Sequence, residues 1–213
     1  MALGQDGARL HRSPGARSAI LLAGVGGQGV LTAARVLGEA AHAAGLEVVV
    51  GQLHGMAQRG GTVECSVRIG VGEGSLLTGA PDLVVAFEPL ELLRALRPRP
   101  GVARALVSDT AIVPHRLAGG GAGYPAMQAI VAEAARACGE VRLFPGREIT
   151  EELREGRVLN TAMLGAIGGM GALPFDARLL GEAASRRLPA RFVGVNERAF
   201  ELGRAWAARE VRA

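Results

Sequence analysis

Four glycines within six residues, Gly24-Val25-Gly26-Gly27-Gln28-Gly29, constrain this chain more than any other stretch of it. An apolar run, Ser18 to Ala23, precedes them and reads as a buried strand. After them Val30, Ala34, Leu37, Ala41 and Ala44 recur at helical spacing, and Gly45 stops the helix. The unit is therefore strand, glycine turn, helix. Gly24, Gly26 and Gly29 satisfy G-x-G-x-x-G in that context. Such glycines let backbone N–H groups converge at a helix start, where the partial positive charge suits a phosphate or carboxylate. They can equally serve only to bring helix and strand into close packing, and the pattern alone leaves both readings open.

The rest of the first 145 residues keeps alternating. Leu46 to Val50, Thr62 to Ile69, Asp82 to Phe87, Ala105 to Ser108 and Val141 to Phe144 read as strands. Thr62 to Ile69 alternates, with Val63, Cys65, Val67 and Ile69 facing one way, which predicts a half-exposed strand near an edge. Glu88 to Leu96 and Pro125 to Ala137 read as helices, the first ended by Pro98 and Pro100. From Glu148 the pattern is helical, and Val195, Ala199, Leu202 and Trp206 mark one docking face. The expected fold is α/β: a Rossmann-like parallel or mixed sheet flanked by helices, with a helical C-terminal part. Residues 1–17 read as a flexible tail, residues 18–213 as one domain, and Gly119 to Gly123 as its candidate mobile loop.

A second run, His54-Gly55-Met56-Ala57-Gln58-Arg59-Gly60-Gly61, falls on the carboxyl side of the second strand, the side that carries ligands in open α/β sheets. His54 offers an imidazole, Gln58 an amide, and Arg59 a fork matched to carboxylate or phosphate. Gly60 and Gly61 permit close approach of backbone. A tight connection with a solvated Arg and an ordinary His is the plainer alternative. His54 and Arg59 are the candidate catalytic residues. Gly24, Gly26, Gly27, Gln28, Gly29, Gln58, Gly60 and Gly61 are the candidate cofactor-binding set. A nicotinamide cofactor would want an acid ending the second strand, about 20 residues past the glycines. That strand ends Val50-Gly51, and Glu47 comes too early. Arg94, Arg97, Arg99 and Arg104 surround a Pro-rich turn and read as a solvated helix end, the alternative being a contact with a phosphate or an acidic partner. Asp109 reads as a functional acid or a cap, Cys65 as a core residue, and Asn160 as a residue that caps or pins a helix.

Composition narrows the chemistry. All 24 basic residues are Arg, so there is no Schiff-base lysine and no Walker-type phosphate loop. The net charge of +4 admits nucleic acid, but one Trp and one Tyr leave little to stack on bases. Two distant cysteines, Cys65 and Cys138, cannot hold an iron–sulfur cluster, which takes about four thiolates, nor frame a disulfide scaffold. A reducing cytoplasm fits them. No segment reads as a signal peptide or a membrane span.

The runs GVGGQGVLTAARVLGEAA and HGMAQRGGTVECSVRIG, with Asn160 to Gly169 (NTAMLGAIGG) and Asn196 to Gly203 (NERAFELG), resemble the gamma subunits of 2-oxoacid:ferredoxin oxidoreductases. Within that family the resemblance is fullest to the small (beta) subunits of indolepyruvate oxidoreductases, and the HGMAQRGG run is its most specific part. It covers about Ser18 to Gly203. The resemblance implies a subunit, inactive alone, of a complex that decarboxylates a 2-oxoacid oxidatively, forms an acyl-CoA and passes electrons to ferredoxin. It implies thiamine diphosphate, Mg²⁺ and iron–sulfur clusters on a large partner chain. This sequence has no GDG…N thiamine motif; Asp6-Gly7 has no matching Asn. Coenzyme A is the group this chain could itself meet. The alternatives are a stand-alone nucleotide-binding reductase and a non-catalytic acyl-CoA or 2-oxoacid binding module.

Overall fold

The computed structural model of the chain describes residues 17–54, 61–70, 79–113 and 123–210. Six strands form one mixed sheet: β1 (Ser18–Val25), β2 (Val48–His54), β3 (Thr62–Ile69), β4 (Leu83–Ala86), β5 (Val102–Ser108) and β6 (Cys138–Phe144), in the order β2-β3-β1-β4-β5-β6. β1, β4, β5 and β6 are parallel. β3 runs antiparallel to both β1 and β2, so β2 points the same way as β1 with a reversed strand between them.

The described residues hold seven α-helices: α1 (Val30–Ala43), α2 (Pro89–Leu96), α3 (Met127–Ala137), α4 (Gly146–Glu152), α5 (Leu159–Gly169), α6 (Ala177–Arg186) and α7 (Ala190–Glu210). Side chains alternate across a strand, which sorts the apolar residues into two cores. On one face Ile20, Leu22, Cys65, Val67, Val85 and Phe87 pack under α1 and the C-terminal helices. On the other, Leu21, Ala23, Val84, Ala86, Ala105 and Val107 pack under α2 and α3. The two cysteines fall in different cores and are free. Burial in the first core pushes the Cys65 thiol up to about 11, as expected of an inert core cysteine.

The expected α/β order is therefore present, with three local corrections. α1 ends as expected at Gly45, whose φ of 72° lets Leu46 N–H bond Ala41 C=O and Gly45 N–H bond His42 C=O. That closure absorbs Leu46 and Glu47 into the turn, so β2 starts at Val48 and runs on through Gly51 to His54. β3 lies one place in from the edge but is not half-exposed: Glu64 and Ser66, on its polar side, are buried. Arg99 explains part of this. It is not a solvated helix end; its guanidinium reaches Glu64 at 2.8 Å and Ala95 C=O at 2.7 Å. The buried polar side of β3 is thus held by a charge-assisted pair rather than by water.

The C-terminal helices form a tight layer. Gly165 of α5 lies on the Phe200 carbonyl, and Gly203 of α7 on the Ala162 carbonyl, with no room for a Cβ at either place. Trp206 meets Phe144 edge to face, centroids 5.1 Å apart, and Ala199 is fully buried, as the docking face required. No helix among the described residues is long and apolar enough to cross a membrane.

Candidate functional site

β1 leads into α1 on one face of the sheet, and β4 leads into α2 on the other. Neighbouring parallel strands whose connections part in this way leave a crevice beyond their carboxyl ends. The glycine loop lies at this crevice. Gln28 braces it: its Oε1 accepts from Val25 N–H at 2.8 Å, and its Nε2 donates to Phe87 C=O at 2.9 Å. One side chain so ties the end of β1 to the end of β4.

The glycines divide by role. A Cβ on Gly24 would lie 2.8 Å from Val30 and 2.9 Å from Gln28 Oε1, so this glycine serves packing. Gly29 has φ 80° and would press a Cβ to 2.6 Å from Asn160 Nδ2. Gly27, at φ 108°, faces open space. Among the described residues neither Gly27 nor Gly29 donates its N–H, and α1 carries no acid in its first turn and no side-chain cap. Among the described residues the positive end of α1 therefore meets no compensating group, and backbone donors at such a helix start receive anions. Packing and ligand approach thus fall to different glycines of one loop.

Gly26 N–H donates to Gly61 C=O at 2.8 Å. This bond brings the end of the HGMAQRGG run onto the glycine loop. β2 ends at His54 and β3 begins at Thr62, opposite Val25, so both ends of the run leave from the carboxyl edge of β1. Gln58, Arg59 and Gly60 lie outside the described residues, as does the His54 side chain. So do residues 1–16 of the expected tail and residues 119–122 of the expected mobile loop.

Two acids that the sequence reading passed over organise the far side of the crevice. Glu88 is almost fully buried. Its carboxylate caps α2 through Glu91 N–H at 3.0 Å and accepts from Ile112 N–H at 3.3 Å and from the Tyr124 hydroxyl. Burial and that carboxylate push the Tyr124 phenol far up. The signal was present: an acid before Pro89, at the close of a strand, is a helix start with Pro in its first turn. Glu91 is buried too. Arg94 pairs with it and donates to Thr62 Oγ1 at 3.3 Å, so the residue after Gly61 is held from α2. Burial pushes the Glu91 carboxyl above its ordinary range, against the pull of Arg94, and its Oε2 has no partner among the described residues. Of the other basic residues, Arg97 is exposed and Arg104 half-buried. Asp109 caps α4, accepting from Arg147 N–H at 2.8 Å. Asn160 lies in the first turn of α5 and stands against Gly29.

The topology also bears on dinucleotides. In a dinucleotide-binding fold the second strand lies beside the first and ends in the ribose-binding acid. Here β3 occupies that place, reversed, and β2 ends Gln52-Leu53-His54. Among the described residues no cluster of three or more His, Cys, Asp or Glu is placed to hold a metal.

Residues 19–206 match the family described as pyruvate ferredoxin/flavodoxin oxidoreductase. The chain is 38% identical over 187 residues to the indolepyruvate oxidoreductase subunit IorB of Methanothermobacter thermautotrophicus, covering 86% of this chain and 94% of that one. In fold it is similar to a keto/oxoacid ferredoxin oxidoreductase gamma subunit from Geobacter sulfurreducens, with a TM-score of 0.66, 22% identity and coverage of 91% and 98%. It is also similar to a 2-oxoglutarate:ferredoxin oxidoreductase from Magnetococcus marinus, solved with 2-oxoglutarate, coenzyme A and succinyl-CoA bound. There the TM-score is 0.71 at 21% identity, covering 91% of this chain and 31% of that one.

Proposed function

Because this chain belongs to the pyruvate ferredoxin/flavodoxin oxidoreductase family, we propose that it is the small subunit of a complex that oxidatively decarboxylates a 2-oxoacid. The substrate class is the arylpyruvates, with indolepyruvate first among them. The observation that carries this is the identity with the indolepyruvate oxidoreductase subunit over nearly the whole of both chains. In the reaction a 2-oxoacid, coenzyme A and two oxidised ferredoxins give the acyl-CoA, CO₂, a proton and two reduced ferredoxins. Thiamine diphosphate, Mg²⁺ and the clusters belong to a large partner chain. Two cysteines in separate cores suit no cluster.

What this chain supplies is the carboxyl edge of its sheet. The N–H groups of Gly27 and Gly29, without an acceptor among the described residues and at a helix start with no side-chain cap, suit a phosphate of coenzyme A. The bond from Gly26 holds Gly61, the end of the His54–Gly61 run, at the loop, and Arg59 and His54 of that run would meet the carboxylate or the thioester end. Gln28 braces the ends of β1 and β4 against each other beneath the crevice. The reversed β3 and the absent acid favour this over a stand-alone reductase.

The test is reconstitution with the large chain encoded by the same organism. Activity on indolepyruvate should require both polypeptides and coenzyme A. Arg59→Ala should lower kcat/KM about tenfold or more in the complex, the loss of one charge-assisted contact, without lowering Tm. Turnover by the chain alone with a nicotinamide or flavin nucleotide would overturn the assignment.

A further inference from the structure

On the α1 face of the sheet, next to the glycine loop, a cavity of about 170 Å³ lies between α1, α5 and the corner where α6 meets α7. Val36, Leu164, Ala184, Leu188 and Phe192 give it apolar walls. Its floor is polar and tied together: the Thr161 hydroxyl donates to Asn196 Oδ1 at 2.6 Å, and Asn196 Nδ2 donates to Phe192 C=O at 2.9 Å. One N–H of the Asn196 amide remains over after these bonds, so the floor offers a single polar contact within largely apolar walls. The volume sets the guest's size. A cavity of about 150 Å³ lined by Leu, Ile and Phe stays dry and takes one benzene.

The mouth is polar, with two arginines and one glutamate in its lining. Asn160 Oδ1 is engaged by Thr161 N–H at 2.8 Å, which turns the amide NH₂ outwards, towards Gly29. α5 has no acid in its first turn and no side-chain cap. Arg157 lines the opening, with its guanidinium carbon 5.2 Å from the centre of the Phe192 ring. Arg191 lies 4.8 Å from the same ring. Arg157 is paired with Glu155, and Arg187, also at the opening, with Glu39. Glu155 lines the opening as well, so Arg157 stands there as one half of an ion pair; Arg191, behind the Phe192 ring and without a carboxylate partner among the described residues, adds the unbalanced positive charge.

We propose that this cavity binds a small aromatic carboxylate, with a single six-membered ring inside and the acid at the Arg157–Asn160 mouth. The inference goes beyond the assembly reading, because the isolated chain suffices for binding. Failure of one therefore leaves the other standing. If both hold, the small subunit recognises molecules of the same class as the substrate or product of its complex, at a site of its own beside the glycine loop.

Calorimetric titration of the purified chain with phenylacetate tests this, with phenylacetamide and acetate as controls. Phenylacetate should bind saturably at one site, at least about tenfold more tightly than either control, a difference of about 1.4 kcal/mol. Arg157→Ala, on an exposed side chain, should weaken binding about threefold without changing Tm. Ala184→Leu should fill the cavity and abolish binding. Should that variant fail to fold, the amide control and Arg157→Ala still decide. Phenylacetate binding no tighter than acetate, or unchanged by the substitutions, would overturn the proposal.

Discussion

At the scale of single residues, Gln28 and Glu91 matter most. Gln28→Ala leaves Val25 N–H and Phe87 C=O, both at buried positions, without their partner. It should cost about 1–3 kcal/mol in urea unfolding. Gln28→Glu should not rescue it, because a carboxylate oxygen would then face the Phe87 carbonyl. Glu91 has a raised folded pKa, so its contribution to stability is complete below its ordinary value of 4.5 and is lost as pH rises through the folded value. Glu91→Gln should therefore flatten the plot of Tm against pH above 4.5. A plot that falls as steeply in the variant would assign the slope to another group. The glycine loop and its place were legible in the sequence, because strand, turn and helix are local patterns. The parts of Gln28, Glu88 and Arg99 were not. Each reaches a partner more than 20 residues away, Phe87, Ile112 and Glu64 respectively, and no periodicity records such a contact.

Among the elements, the α5–α7 pair is the least forgiving. Gly203→Ala would drive a methyl into the Ala162 carbonyl, and backbone cannot step aside as a flexible side chain can. A loss of about 3 kcal/mol is expected in chemical denaturation, with an unchanged m-value if the helices only separate slightly. Gly194→Ala, in the same helix but with open space around it, should be neutral or stabilising. These helices were visible as helices because Val195, Ala199, Leu202 and Trp206 keep the 3.6-residue period. The strand errors have a similarly plain cause. Gly51 looked like a strand end, yet β2 passes through it because β3 supplies partners as far as His54. β3 looked half-exposed because alternation reports side-chain polarity, and a buried Glu64–Arg99 pair has the same polarity as a wet surface.

For the whole molecule, the sheet order decides what the chain can be. The alternation of strands and helices announced an α/β protein, but not that β3 would turn back between β1 and β2. That reversal moves the chain away from dinucleotide binders and puts both ends of the HGMAQRGG run on one edge. If the subunit reading holds, the native complex should lose turnover when this chain is stripped and regain it when it is returned, whereas Gly27→Val in the returned chain should raise the KM for coenzyme A. The reversal also orders events during synthesis. Once residue 69 has emerged, the β2–β3 hairpin can add β1 along β3 as a three-stranded antiparallel sheet with no help from later sequence. The crevice cannot close until Phe87 arrives to receive Gln28, and α5 to α7 come last of all. At about 5–20 residues per second the nascent chain spends about 1–3 seconds as a sheet with the β1 edge bare, until β4 has emerged to pair with it. That exposed edge of β1, rather than the finished surface, is where a ribosome-associated chaperone would be expected to bind.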